Sequence, residues 1–445
     1  MSGRLELLPT GRNFHGGDIS RLPTRTAWQR GQELAEALLE KYRKEEGYYP
    51  KRVALSIWST DAFKNDGELL CQILFLLGTE PCWDNRDKVT DVVPITLENL
   101  GRPRIDVTIE TSSVMREMVP HFCDLMDRAV LAVSELAETD EENYVAMHYR
   151  QLLNELRQDT QRQLDKLSIR RLASCRVFSS ATGTTGGGVA LALDASAWTT
   201  EAELAEIHVN QHGHAWVDGR MINACDLFAR QMGEVELAYI KQGSEQYDLL
   251  DTGYYATTLG GVAMTGKAMR GSRPRLLWHE AGVGGELCDI EEELWHSTAG
   301  RLLNVHWFTA MKKHGIRGAA AVSDRVNNLY KWSATTGKVA KELFDRVVEF
   351  YVENKENRCW LHEENPYALE EITRRLLEAA ARDLWQADDN KLKILRDTAL
   401  MIEGDMEESI GEVSGDFQGG GVEIVGMDKV EKWQHAWRLP DKGRE

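Results

Sequence analysis

The chain has little of what would assign it quickly. Its seven cysteines, at 71, 82, 123, 175, 225, 288 and 359, never fall in a Cys-x-x-Cys pair. An odd, scattered set predicts reduced thiols, neither a disulfide frame nor a zinc ribbon. Only ten prolines occur in 445 residues, and no low-complexity tract marks a disordered segment. No apolar run approaches the roughly 18 residues of a spanning helix, and the opening MSGRLELLPTGRNF has no apolar signal core. Basic charge is in deficit, with a net charge of −18. That balance argues against a protein that tracks nucleic-acid phosphates and disfavours docking on an anionic membrane. Together these absences predict a soluble cytoplasmic protein with no nucleic-acid partner and no membrane span.

Catalytic signatures are sparse as well. Neither GxSxG nor HExxH occurs, and no fixed-period repeat is present. One GxxxxGK stretch, Gly261–Lys267, fails as a Walker loop: Ala268 stands where the Mg²⁺-binding hydroxyl belongs, and no hydrophobic strand precedes it. The chain is therefore expected not to hydrolyse ATP itself.

What is present is an ordinary globular composition, 42% apolar and 28% charged. Thr24 is placed to cap a helix from Arg25 to about Glu46, with Gly47 as its stop. Arg52–Trp58, RVALSIW, reads as a strand buried on both faces. Further strands are expected at Pro81–Asp84, Val92–Ile95, Arg104–Ile109 and Leu172–Phe178, with one long helix at Val114–Leu136. From Ile290 onward the pattern is helical. The predicted fold class is α/β: open, mostly parallel sheet with flanking helices, followed by a largely helical C-terminal region. The expected divisions are a sheet domain at 1–140, a second α/β region at 141–288, a helical region at 289–412 and a tail at 413–445.

Four stretches hold chemistry-bearing residues. Leu8–Thr24, a glycine-rich loop, contains Arg12, Asn13, His15 and Asp18. Trp58 and Asp61 fall at the carboxyl end of the first strand, where open parallel sheets bind ligands. His208, His212 and His214 are spaced H-x3-H-x-H, which fits either a late first-row divalent ion or ordinary polar residues at a helix end. Gln246–Gly261, QYDLLDTGYYATTLGG, sets Asp248 and Asp251 before the Tyr254-Tyr255 pair. It suits a flat aromatic ligand with polar groups, or a surface loop whose acids cap the next helix.

In chain order, LPTGRNFHGGD, VALSIWSTD, LGRPRIDVTI, RVFSSATGT, QYDLLDTGYY, NVHWFTAMKKHGIRGA and WSATTGKV resemble the C-terminal part of the large subunit of ATP-dependent chelatases. That family comprises the cobaltochelatase large subunit of cobalamin synthesis and the magnesium chelatase H subunit. The resemblance runs from about residue 8 to about 403. The chain departs from it in two places: Leu259 stands where cobaltochelatase-like members carry a histidine, and His212-Gly213-His214 replaces a glycine and aromatic stretch.

The resemblance implies a ligase-type metallochelatase subunit, inactive alone, that binds a tetrapyrrole and inserts a divalent metal, with AAA+ subunits using the ATP. Both tetrapyrrole and metal are then substrates, and the histidines favour cobalt or nickel over magnesium. Family members are far longer, so a separate chain supplying the N-terminal part is expected. The residues implied are His15, Asp18 and Asp61 as proton acceptors or transient metal ligands. Arg12, Asn13, Trp58, Arg116, Asp248, Asp251, Tyr254 and Tyr255 are implied around the ring, and His212 and His214 at the metal. The alternative is a non-catalytic tetrapyrrole- or metal-binding module: a carrier, a sensor or a structural half.

Overall fold

The computed structural model describes residues 19–159, 165–181, 187–282, 285–410, 424–426 and 429. The chain forms two compact units that do not follow chain order. The first comprises Met1–Thr185, Gln211–Gln246 and Met269–Asp289; the second comprises Gly186–Asn210, Tyr247–Ala268 and Ile290–Glu445.

Among its described residues the first unit has ten strands: β1 (Arg52–Ile57), β2 (Thr79–Trp83), β3 (Val89–Pro94), β4 (Asp106–Thr111), β5 (Val177–Ser179), β6 (His214–Val217), β7 (Arg220–Asn223), β8 (Leu237–Lys241), β9 (Arg275–His279) and β10 (Leu287–Asp289). Eight of them make one sheet in the order β10-β9-β8-β1-β4-β5-β6-β7. β9, β8, β1, β4 and β5 run parallel, while β10, β6 and β7 are antiparallel additions at the edges. β1, β4 and β8 are buried along their whole length, as strands covered on both faces must be. Their side chains merge with the helices Arg25–Glu46, Glu68–Leu77 and Pro120–Ser134 into one core that includes Leu38, Leu55, Leu74, Ile109, Met126 and Leu277. This is the mostly parallel sheet with flanking helices that the apolar runs predict.

Three local expectations are corrected. The segments around Pro81 and Val92 are strands, but they pair only with each other, as an antiparallel ribbon outside the main sheet. The stretch Val114–Leu136 is two helices, Ser113–Met118 and Pro120–Ser134, because Pro120 lacks the N–H that would carry one helix across and sits instead at the first position of the next. Leu172–Phe178 is not one strand. A helix capped by Asp165 runs on to Ser174, leaving β5 only Val177–Ser179.

At the amino ends of β1, β4 and β5, Asp106 is fully buried and accepts from Arg52 Nη2 at 2.5 Å, Arg176 Nε at 2.8 Å and His148 Nδ1 at 2.8 Å. Burial pushes its carboxyl up, but Arg176, then Arg52 and the His148 hydrogen bond outweigh that and hold it far below the usual range. A buried charge this well paired stitches three neighbouring strands together at one end. The opposite, carboxyl ends carry the candidate site.

The second unit is helical among its described residues. Its longest helices are Gly253–Arg270, Ile316–Thr336, Pro366–Ala381 and Asp389–Ile410. The rejected Walker-like stretch lies inside the first of these, where the glycine pair at 260 and 261 serves packing. A Cβ on Gly260 would meet Thr335 Oγ1 at 2.2 Å, and one on Gly261 would meet His208 Cδ2 at 2.3 Å. No described helix of either unit is long and apolar enough to cross a membrane.

Candidate active site at the carboxyl edge of the sheet

In an open parallel sheet the carboxyl ends of the strands present loops to one side, and ligands gather where the order of connections reverses. Here the chain runs outward from β1 through β4 to β7 and then returns to β8 on the other flank of β1. The half-buried Trp58 follows β1 directly.

Asp61 lies within the next helix, Ser59–Lys64, and is 4% exposed. Its two oxygens accept from Leu69 N at 2.9 Å and Leu70 N at 3.2 Å, the first turn of the helix Glu68–Leu77, whose N-cap Gly67 has no side chain to offer. Burial pushes the Asp61 carboxyl up to about 6, against those backbone hydrogen bonds and the Lys241 charge. In this geometry Asp61 holds a helix start. Beside it at the end of β8, Lys241 donates to Glu68 at 2.6 Å. His279 closes β9, its imidazole held down to about 4 by burial first and the Lys241 charge second. Neither Lys241 nor His279 stands out in the sequence, where each is only the polar residue that ends an apolar run.

On the other flank, register partners Ile57, Thr111, Ser179 and His214 form a row across β1, β4, β5 and β6. Partners in a row share a face of the sheet. Arg116, 4% exposed, lies on this row: its Nη1 donates to Ser179 Oγ at 2.5 Å and to the Ser180 carbonyl at 2.7 Å. Burial first, then the positive charge of Arg116, lower the His214 imidazole, so it stands neutral at neutral pH. His212 Nδ1 is 3.1 Å from Glu110 Oε1, a buried carboxylate on β4. The third histidine, His208, belongs to the second unit, where it is fully buried against Thr265 Oγ1 at 2.9 Å. No group of three His, Cys, Asp or Glu suited to a metal ion occurs among the described residues.

In the second unit, the expected ring-lining acids are engaged with arginines. Arg325, 2% exposed, donates to Asp251 Oδ1 at 2.5 Å and to Asp248 Oδ2 at 2.6 Å, and Arg301 donates to Asp251 Oδ2 at 2.7 Å. Asp248 Oδ1 also accepts from Leu250 N at 2.9 Å. Tyr255 is buried, while Tyr254 is 42% exposed. Asp251 and Gly253 line a polar hollow of ≈ 530 Å³ together with Asp324, Lys331 and Arg374. Arg12, Asn13, His15 and Asp18 lie outside the described residues.

Comparison with known proteins places this architecture. A family model described as CobN/Magnesium Chelatase matches residues 1–392. The aerobic cobaltochelatase subunit CobN of Pseudomonas aeruginosa is 33% identical over 410 residues, covering 90% of this chain and 32% of that protein. The chloroplastic magnesium-chelatase subunit ChlH of Oryza sativa subsp. japonica is 30% identical over 408 residues, again 90% of this chain and 29% of that protein. The solved catalytic subunit of cobaltochelatase from Mycobacterium tuberculosis superposes with a TM-score of 0.82 at 34% identity, over 89% of this chain and 33% of that one. The chain thus spans about a third of the length of these relatives. An eight-stranded, mostly parallel sheet with this register, carried by a sequence matched over residues 1–392, makes the chain a member of the CobN/magnesium chelatase family.

Proposed function

We propose that the chain works in the insertion of a divalent metal into a tetrapyrrole, binding the macrocycle at the carboxyl edge of the first unit's sheet. The observation that carries this is the collection of Trp58, Thr111, Arg116, Ser179 and His214 at one edge of a sheet of this family. An indole offers a face for a flat ring, and a buried guanidinium suits the carboxylates at a tetrapyrrole's rim. Metal insertion also requires two inner pyrrole hydrogens to leave, which needs bases within reach of the ring nitrogens. His15 and Asp18 are assigned that role, with His212, braced by Glu110, as a further imidazole.

Cobalt or nickel is the preferred metal, since late first-row ions accept imidazole readily and magnesium prefers oxygen. Separate AAA+ subunits are proposed to hydrolyse the ATP that drives the cycle, in keeping with the helical form of Gly261–Lys267.

Visible absorbance tests the proposal. The chain with ATPase partners, ATP and Co²⁺, Ni²⁺, Mg²⁺ or Zn²⁺ is expected to shift the spectrum of a free-base porphyrin or corrin, and His15→Ala to slow that shift. In the absence of partners, the same tetrapyrroles are expected to quench tryptophan fluorescence. Absence of both quenching and shift for every ring and metal would overturn it. Quenching without a shift would reassign the chain as a carrier.

A further inference from the structure

Buried polar atoms are almost always hydrogen-bonded, so a group of them lacking partners in one place points to something that binds there. Among the described residues, Thr111 Oγ1, Arg116 Nη2 and His214 Nδ1 are buried with no hydrogen-bond partner. These three atoms are not scattered. Thr111 and His214 are the register partners on either side of Ser179, and Arg116 is bonded to Ser179 itself. The row spans two strand spacings, roughly 10 Å. Arg116 Nη2 has one acidic neighbour, Glu117, which is 60% exposed and 3.5 Å away.

The chemistry of the set is one-sided. A guanidinium can only donate, a threonine hydroxyl donates readily, and a neutral imidazole can carry its proton on the nitrogen that faces an acceptor. The missing partner is therefore an acceptor, and a buried guanidinium asks for a negative one. A cation here would meet the Arg116 charge, the same charge that lowers His214.

We infer that Thr111, Arg116 and His214, arranged about Ser179, form a carboxylate cradle that takes one acidic side arm of the macrocycle and so fixes its orientation at the sheet edge. This rests on the tetrapyrrole reading above. It also gives His214 a part in anchoring the ring rim, separate from the metal. Planar carboxylates are what a guanidinium fork recognises best, and a hydroxyl and an imidazole flanking it supply the remaining donors.

The experiment compares a free-base porphyrin dicarboxylate with its dimethyl ester, followed by tryptophan quenching, in the wild type, Thr111→Val and His214→Phe. Arg116→Lys is a fourth arm, but its guanidinium is buried and replacing it puts folding itself at risk, so Thr111→Val and His214→Phe decide the matter. Both need a melting curve like that of the wild type. The wild type is expected to bind the diacid at least about tenfold more tightly than the ester, the range of a charge-assisted hydrogen bond. Thr111→Val and His214→Phe are each expected to reduce that preference severalfold, because the diacid loses more affinity than the ester does. Equal binding of acid and ester by the wild type, or an undiminished preference in both variants, would overturn the cradle while leaving tetrapyrrole binding standing. Failure of both rings to bind the wild type would instead remove the tetrapyrrole reading, and the cradle with it.

Discussion

Arg325 reaches Asp248 across 77 positions of sequence at 2.6 Å, and the same guanidinium holds Asp251. The two acids that head the tyrosine pair are thus half of an ion network inside the second unit. Removing one partner of such a network leaves charge buried without compensation. Asp251→Ala is expected to destabilise the fold by about 2–4 kcal/mol, read from urea unfolding. Tyr254→Phe, at an exposed ring, is expected to stay within about 0.5 kcal/mol of the wild type. Equal stability of Asp251→Ala and the wild type would show that the acid contributes little to the fold.

The glycine pair after the tyrosines makes a second claim on stability. Gly261→Ala would push a methyl to 2.3 Å from the His208 ring, which is held at Thr265 Oγ1 and must shift to admit it. A loss of about 1–3 kcal/mol is expected from overpacking of this kind. Reversing the crowding by shrinking the neighbour, as His208→Ala in the Gly261→Ala background, is expected to return part of it. A double variant no more stable than the sum of the singles would contradict the packing account.

Two buried groups in the first unit give opposite responses to pH. Asp61 holds its proton more tightly folded than unfolded, so its contribution falls as pH rises from 3.8 through about 6. His279 holds its proton less tightly when folded, so stability is lost as pH drops from 6.5 toward about 4. Relative to the wild type, Asp61→Asn is expected to gain as pH rises across that window, and His279→Gln to gain as pH falls. Each change is on the order of 1–3 kcal/mol. Urea midpoints at pH 4.5, 6 and 7.5 measure both, and parallel profiles for wild type and variants would refute the burial argument.

The Asp106 knot should be the most sensitive point of the sheet. Asp106→Asn leaves Arg52 and Arg176 buried against a neutral amide, and a loss of about 3–5 kcal/mol is expected. A melting temperature unchanged from the wild type would mean that the arginines find other partners.

Burial on both faces made RVALSIW legible, because a strand covered above and below has no room for polar alternation. Pairing was not legible in the same way. The ribbon of β2 and β3 has the composition of sheet strands, and only tertiary hydrogen bonds show that it stands apart. Leu172–Phe178 reads as a strand on its apolar content, Leu172, Ala173, Cys175, Val177 and Phe178; the Asp165 cap seven residues earlier settles its first half as helix. At the site, Trp58, Arg116 and His214 could be named from motifs and strand ends. Ser179 gains its place only through register with Thr111 and His214. The arginines that occupy Asp248 and Asp251 lie 50 to 77 residues away, beyond any local pattern.

The second unit borrows two short excursions, Gly186–Asn210 and Tyr247–Ala268, from between stretches of the first. No single cut along the polypeptide therefore yields both bodies whole. A ribosome must deliver β10 before the sheet can close, by which time both excursions have already emerged and wait for helices still to be made. Dissection by truncation will produce incomplete halves; excising the excursions and replacing them with short bridges is the route to an isolated sheet.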